Sequence, residues 1–119
     1  MMDRRDRGNL GEELAAAYLR RHGYRIVERT FRCRLGEIDI IAQKRGILAF
    51  VEVKLRKNAD FAEAREFVTA AKQGRILAAA GLWLARNETE LQPRFDVMEV
   101  YAPQEGGRVR IQHLENAFE

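Results

Sequence analysis

A chain of 119 residues with 46% apolar and 33% charged side chains has the size and composition of one folded domain, which excludes a disordered protein. Its longest apolar run, residues 76–85, is about half of the ~20 residues that a membrane helix needs, and the N-terminus shows no secretory signal. One cysteine and two histidines exclude an internal disulfide and a Cys/His zinc cluster. We therefore expect a single domain over residues 1–119 that is soluble and cytoplasmic, with no membrane partner and no small-molecule cofactor.

The predicted elements begin with a helix over residues 9–22. Asn9 can serve as its N-cap, the acids at 12 and 13 suit the positive end of the helix dipole, and Gly23 is a typical stop. Segments rich in β-formers follow, and Arg45-Gly46 is typical of a tight turn between the last two. We therefore predict three strands, over residues 24–31, 37–43 and 47–56.

The second half of the chain repeats this alternation of helix and strand. Helical periodicity covers residues 63–86, although two internal glycines weaken it. Residues 94–101 alternate as a strand, and residues 109–114 form a short last one. The resulting order, α-β-β-β-α-β-β, predicts an α/β sheet with helices packed on it.

Positive charge is concentrated in the N-terminal third of the chain. Residues 1–34 carry nine basic and five acidic side chains, whereas residues 61–119 carry seven and nine. Seventeen of the 21 basic residues are arginine, whose planar guanidinium suits bidentate contacts to phosphate. This favours an anionic partner such as nucleic acid, while an ordinary solvated surface explains the composition equally well.

Acidic residues interrupt the apolar pattern of the predicted hairpin. A two-residue turn sets a register in which Asp39 lies opposite Glu52, and Glu37 opposite Lys54. Opposed like charges destabilise a sheet, so a bridging divalent cation is the natural compensation, and carboxylate oxygens suit Mg²⁺ or Mn²⁺. Such a site suits phosphodiester hydrolysis, with Lys54 stabilising charge or orienting water. The alternative is an ion triad without chemistry.

The same residues resemble a known signature. The motifs G-E-I-D at 36–39 and F-V-E-V-K at 50–54 look like the D…E-x-K pattern of the restriction-endonuclease-like nuclease superfamily. More narrowly, nearly the whole chain resembles the YraN-like family of uncharacterised bacterial proteins. The resemblance implies a restriction-endonuclease-like α/β fold, a mixed sheet flanked by helices in αβββαβ order with a further strand, similar to archaeal Holliday-junction resolvases. Its other motifs are G-E at 11–12, K-Q at 72–73, R-F-D-V at 94–97 and N-A-F at 116–118.

Carried over to this chain, the resemblance makes Asp39 and Glu52 the metal ligands and Lys54 the catalytic lysine. A strand carbonyl near Val53 would complete the metal site, and Glu12 would be an additional helix carboxylate, unless it serves only to stabilise its helix. Residues expected to contact nucleic acid, or to be merely solvated, are Lys72, Gln73, Arg75 and Arg34.

We therefore predict a Mg²⁺- or Mn²⁺-dependent nuclease acting on DNA in preference to RNA, with structured or branched DNA among the candidate substrates. Symmetric cutting of a junction would require a homodimer. The alternative is a non-catalytic nucleic-acid-binding or protein-interaction module on a nuclease scaffold, because a fold does not prove an activity. Outside the site, we expect Asp96 to pair with an arginine, Trp83 to lie in the core, His113 at the surface, and Glu37 at the surface or in a salt bridge.

Overall fold

Five strands form one mixed sheet in the order β1-β2-β3-β4-β5. The computed structural model describes residues 4–56, 68–101 and 107–118, with side chains from residue 9 onwards. Strands β3 and β4 are parallel and the other neighbours antiparallel. This αβββαββ arrangement confirms the predicted fold class. The elements are α1 (Arg4–Arg21), β1 (Arg25–Cys33), β2 (Gly36–Lys44), β3 (Ile47–Arg56), α2 (Ala70–Arg86), β4 (Gln92–Tyr101) and β5 (Arg110–Phe118).

Helix α1 begins earlier than predicted and ends where predicted. It starts at Arg4 and runs through Gly8, so the expected N-cap at Asn9 is wrong. The arginines before Gly8 are good helix formers, and one glycine costs only about 1 kcal/mol. At the other end Gly23 adopts φ +90°. The Tyr24 amide donates to the Leu19 carbonyl at 2.9 Å, which closes a Schellman-type cap.

Helix α2 is capped by a side chain that the periodicity did not reveal. Thr69 Oγ1 accepts a hydrogen bond from the Lys72 amide at 3.2 Å. The helix therefore begins at Ala70, and its prediction through Val68 and Thr69 is wrong because the threonine cap competes with helical pairing. The earlier part of the predicted helix, residues 63–67, lies outside the described residues. From Ala70 the helix continues through both of its glycines.

The hairpin has the predicted register. Arg45 and Gly46 adopt φ +48° and +82°, the left-handed conformation that two-residue hairpin turns need. Lys44 pairs with Ile47, and the β2–β3 ladder continues as far as Ile40 and Val51. The two strands therefore separate one pair before Asp39 and Glu52.

The sheet is covered on both faces by apolar layers. The layer between α1 and the sheet includes Leu19 from the helix and Ile40, Val51, Met98 and Val100 from the strands. The layer between α2 and the sheet includes Ile76 and Trp83 from the helix and Ile41, Phe50 and Val97 from the strands. The predicted core position of Trp83 is confirmed, and its indole Nε1 donates to Glu28 at 2.8 Å. Within residues 4–56, 68–101 and 107–118, no helix is long and apolar enough to cross a membrane.

A buried ionic cluster joins β5 to β4. Asp96 is 0% exposed and accepts two hydrogen bonds from the Arg94 guanidinium, at 2.9 and 2.8 Å, so the predicted pairing with an arginine is confirmed. The surface position predicted for His113 is wrong. Its side chain is 8% exposed, with Nε2 lying 2.8 Å from Asp96, because β5 runs beside β4 and faces this carboxylate.

Candidate metal and nucleic-acid site

A cleft of about 510 Å³ opens between the end of the β2–β3 hairpin and the first turns of α2. The carboxylates of Asp39 and Glu52, predicted to share one face of the hairpin, both open into it. Among the sequence-predicted residues, the cleft also brings in Val53, Lys72 and Arg75. The described residues that line it are Arg32, Cys33, Gly36, Glu37, Asp39, Glu52, Val53, Lys72, Arg75 and Ile76.

Asp39 sits where the two strands of the hairpin separate. Its Oδ2 accepts a hydrogen bond from the Val53 amide at 2.8 Å, so the side chain binds a strand amide where the ladder has ended. Burial and the negative charge of Glu52 raise the pKa of Asp39 to about 7, although the bond from Val53 opposes this. Ionised Asp39 is therefore costly to bury without a compensating cation.

Glu52 is the most enclosed carboxylate of the cleft, with 6% exposure. Its Oε2 lies 2.6 Å from Lys72 Nζ and 3.8 Å from Lys54 Nζ. Burial and the neighbouring ammonium of Lys72 lower the pKa of Lys54. For Lys72, burial acts in the same direction, but the hydrogen bond to Glu52 outweighs it and raises the pKa. Although both ammonium groups lie near Glu52, Lys54 therefore loses its proton more readily than Lys72.

Glu12 approaches this region from α1. It does not line the cleft, but its charge contributes to the raised pKa of Asp39. Thr30 Oγ1 donates to Glu12 at 3.0 Å, and Arg29 lies 3.7 Å from the same oxygen. Thr30 adopts φ +54°, a strained conformation for a β-branched residue. The strained residue therefore holds the helix carboxylate in place.

Gly36, the first residue of β2, sets how closely the hairpin approaches α2. A Cβ at this position would lie 2.6 Å from the Arg75 carbonyl oxygen, closer than a Cβ atom can come to a backbone oxygen. The glycine of the G-E-I-D motif therefore has a packing role, because it lets the strand that carries Asp39 lie against the helix that carries Lys72.

The other predicted contact residues are distributed differently. Gln73 faces a second cleft on the far side of α2, and its amide donates to the Val68 carbonyl at 2.9 Å, so it is not beside Asp39. Arg34 is exposed in the turn between β1 and β2. Neither side chain lines the cleft that contains Asp39 and Glu52.

Arg32 is a cleft residue that the sequence did not single out. Its Nε lies 2.6 Å from Glu37, with which it pairs across β1 and β2. The β2–β3 ladder ends at Ile40 and Val51, so neither predicted pair, Asp39 with Glu52 or Glu37 with Lys54, forms part of it. Glu37 pairs with β1 instead. Only the β1–β2 register, broken by an irregularity after Ile26, could have identified Arg32.

The donor set fits a hard divalent cation. In the part of the chain that the structure describes, no three Asp, Glu, His or Cys side chains come together as a metal-binding group. Mg²⁺, however, is usually held by one or two carboxylates and completes its shell with water and substrate phosphate. Asp39 and Glu52 meet this requirement, and a cation between them would offset their mutual repulsion.

Asp39→Asn is expected to stabilise the protein in the presence of a chelator, most strongly at alkaline pH. The folded-state pKa of about 7 lies above the ordinary value of 3.8 for this carboxyl, so the folding cost of ionised Asp39 is complete above pH 7 and disappears as the pH falls towards 4. A difference of one pH unit between the folded-state and unfolded-state pKa corresponds to about 1.4 kcal/mol of stability. The gain at pH 8 is therefore on the order of a few kcal/mol.

Urea unfolding of both proteins at pH 5 and pH 8 measures this difference. The control is Glu37→Gln, which removes an exposed carboxylate of the same cleft and should change stability by no more than about 1 kcal/mol. An Asp39→Asn protein less stable than wild type at pH 8 would identify Asp39 as a satisfied member of a structural ion triad.

Comparison with known proteins identifies relatives over almost the whole chain. A family model described as "Uncharacterised protein family UPF0102" matches residues 11–100. A UPF0102 protein of Pelobacter propionicus is 46% identical over 98% of this chain and 85% of its own length. One of Symbiobacterium thermophilum is 50% identical over 93% and 94%, and one of Caldicellulosiruptor saccharolyticus 40% identical over 98% and 100%. The resemblance to the YraN-like family is confirmed.

Proposed function

Since this chain belongs to the UPF0102 family, whose description states no activity, we propose its function from the cleft: a Mg²⁺- or Mn²⁺-dependent nuclease that hydrolyses phosphodiester bonds. The observation that carries the proposal is the meeting of Asp39 and Glu52 at a cleft that Arg32 and Arg75 also line. We favour DNA over RNA as the substrate because the chain resembles archaeal Holliday-junction resolvases, which act on DNA.

In this proposal Asp39, Glu52 and the carbonyl of Val53 would hold the metal. When bound, the metal would polarise the scissile phosphate and favour formation of hydroxide. Lys54 lies beside Glu52 and its lowered pKa eases proton exchange, so it orients the attacking water and offsets negative charge. Arg32 and Arg75 bind phosphates at the cleft without reading base sequence.

The test is cleavage of duplex, single-stranded, flapped and branched DNA with Mg²⁺ or Mn²⁺ and with chelator. We expect wild type to cleave at least one substrate only with metal, and Asp39→Asn to lose cleavage while still binding. Glu37→Gln, which changes an exposed carboxylate of the same cleft, should remain active. Activity that survives Asp39→Asn would contradict the proposed site.

The competing candidate is a non-catalytic nucleic-acid-binding module. Its supporting observation is that Glu52 is already neutralised by Lys72 and lies near Lys54, an arrangement that a structural ion network also shows. Binding without cleavage on every substrate and with either metal would favour this candidate over the nuclease.

Nucleic-acid binding is expected to be sequence-tolerant and steeply salt-dependent. Exposed arginines at the cleft and in the β1–β2 turn, Arg32, Arg75 and Arg34, would release counterions, and each neutralised phosphate contributes about −0.9 to the log–log salt slope on duplex DNA. Fluorescence anisotropy on two unrelated duplexes between low and moderate salt measures the slope. Affinity that is independent of salt would contradict phosphate-based binding.

A further inference from the structure

The carboxylate that would bind the metal is already bound to a lysine. Glu52 Oε2 lies 2.6 Å from Lys72 Nζ, the short distance of a charge-assisted hydrogen bond. Lys54 Nζ is farther from the same oxygen, at 3.8 Å. Among the residues that the structure describes, Lys72 is thus the cation closest to the carboxylate that would bind the metal.

Lys72 is anchored at its backbone, while its ammonium group is held by side chains alone. Its amide donates to the Thr69 cap, which anchors the residue in the first turn of α2. Its side chain is 39% exposed, against 25% for Lys54, and ends in a compact charge on a flexible four-carbon stem. Of the two lysines, the more exposed Lys72 is therefore the one with more room to turn towards solvent.

A divalent cation and the ammonium of Lys72 would draw on the charge of the same carboxylate. Mg²⁺ binds carboxylate oxygen at about 2.0–2.1 Å, and two cations held at one carboxylate repel each other. Asp39, Glu52 and Lys72 line the cleft, and Lys54 lies 3.8 Å from Glu52, so a bound divalent cation would give these four side chains a net positive charge. The more exposed ammonium is then the one that leaves.

We propose that Lys72 holds the carboxylate of Glu52 in the metal-free protein, so that Lys72 and the divalent cation compete for this carboxylate. The inference rests on the metal site of the proposed function. It makes Lys72 a positioning residue that keeps Glu52 ordered and neutralised until the cation binds. The released ammonium then faces the cleft where a phosphate would lie.

Calorimetric titration of Mn²⁺ into the full chain, without nucleic acid, tests the competition. Loss of a hydrogen bond to a charged group should tighten Mn²⁺ binding by roughly tenfold or more in Lys72→Met. The matched control is Arg75→Met, which removes one positive charge from the same cleft, since Arg75 has no ion pair among the described residues. This control should tighten binding less than about threefold, because an exposed charge is screened.

Lys72→Gln provides a second variant in case Lys72→Met does not fold, and it too should bind Mn²⁺ more tightly than wild type. Affinity in the Lys72 variants equal to, or weaker than, that of Arg75→Met would overturn the competition while leaving the nuclease proposal in place. If the Lys72 variants bind Mn²⁺ more tightly but the wild type cleaves no substrate, the nuclease proposal alone would be overturned. No Mn²⁺ binding by any variant would overturn both.

Discussion

Lys54→Met is expected to abolish metal-dependent cleavage while leaving nucleic-acid binding largely intact. Lys54 lies 3.8 Å from Glu52, and its pKa is lowered by burial and by the ammonium of Lys72. Loss of one group that stabilises transition-state charge typically costs about 10²–10³-fold in rate. Ground-state binding is spread over several cations, so the affinity changes little.

Single-turnover cleavage and anisotropy, measured on the same substrate, separate these two effects. The matched control is Lys44→Met, because Lys44 lies at the turn end of β2 and donates to the His22 carbonyl at 2.6 Å, away from the cleft. Wild-type rates are expected for the control. Cleavage retained by Lys54→Met would make the assigned mechanism wrong even with the metal ligands correct.

Asp96→Asn is expected to destabilise the fold more than any carboxylate-to-amide change in the cleft. Asp96 is fully buried and accepts hydrogen bonds from Arg94, His113 and the Asn116 amide. Removing its charge takes the nearer and fully buried counterion from the guanidinium of Arg94, which keeps only the exposed Glu115 at 3.7 Å. Breaking a buried pair in this way costs about 3–5 kcal/mol. For a domain of this size the melting temperature should fall by more than about 10 °C.

The effect should depend on pH in the direction opposite to that of Asp39. Burial acts to raise the pKa of Asp96, but the hydrogen bonds from His113, Arg94 and Asn116 outweigh it and lower the pKa. Its contribution is therefore complete above the unfolded-state pKa of about 3.9. It is lost as the pH falls through the lower folded-state value, so wild type and mutant converge in acid.

The control for this prediction is Glu37→Gln, a second carboxylate paired with an arginine. Glu37 and Arg32 are 48% and 74% exposed, and such surface pairs contribute about 0–1 kcal/mol. Urea unfolding at pH 7 compares the two variants directly. Equal losses of stability would contradict the argument that burial, and not the ion pair itself, makes Asp96 important.

The sequence by itself determined the hairpin and the order of the elements. The Arg45-Gly46 turn is a local signal, and together with the alternation along β3 it predicts the register of the hairpin. On β2 the alternation breaks at Asp39, since Ile38 packs beneath α2 and Ile40 beneath α1. The helix stop at Gly23 is local in the same sense. Where local signals were ambiguous, as at Asn9 and Val68, the predicted boundaries were wrong.

Tertiary structure alone decided which charges meet. Lys72 of α2 reaches Glu52 of β3 across 20 residues of chain. Gly36 permits this approach, because it lets the neighbouring strand β2 lie against α2. Arg32 meets Glu37 through the β1–β2 register, and His113 becomes buried because β5 pairs beside Asp96. Periodicity shows which face a side chain occupies, but not which distant side chain faces it, because that depends on register and on how closely two backbones approach. The altered pKa values of Asp39, Lys54 and Asp96 follow from those same encounters, since each results from burial and from neighbours supplied by other elements.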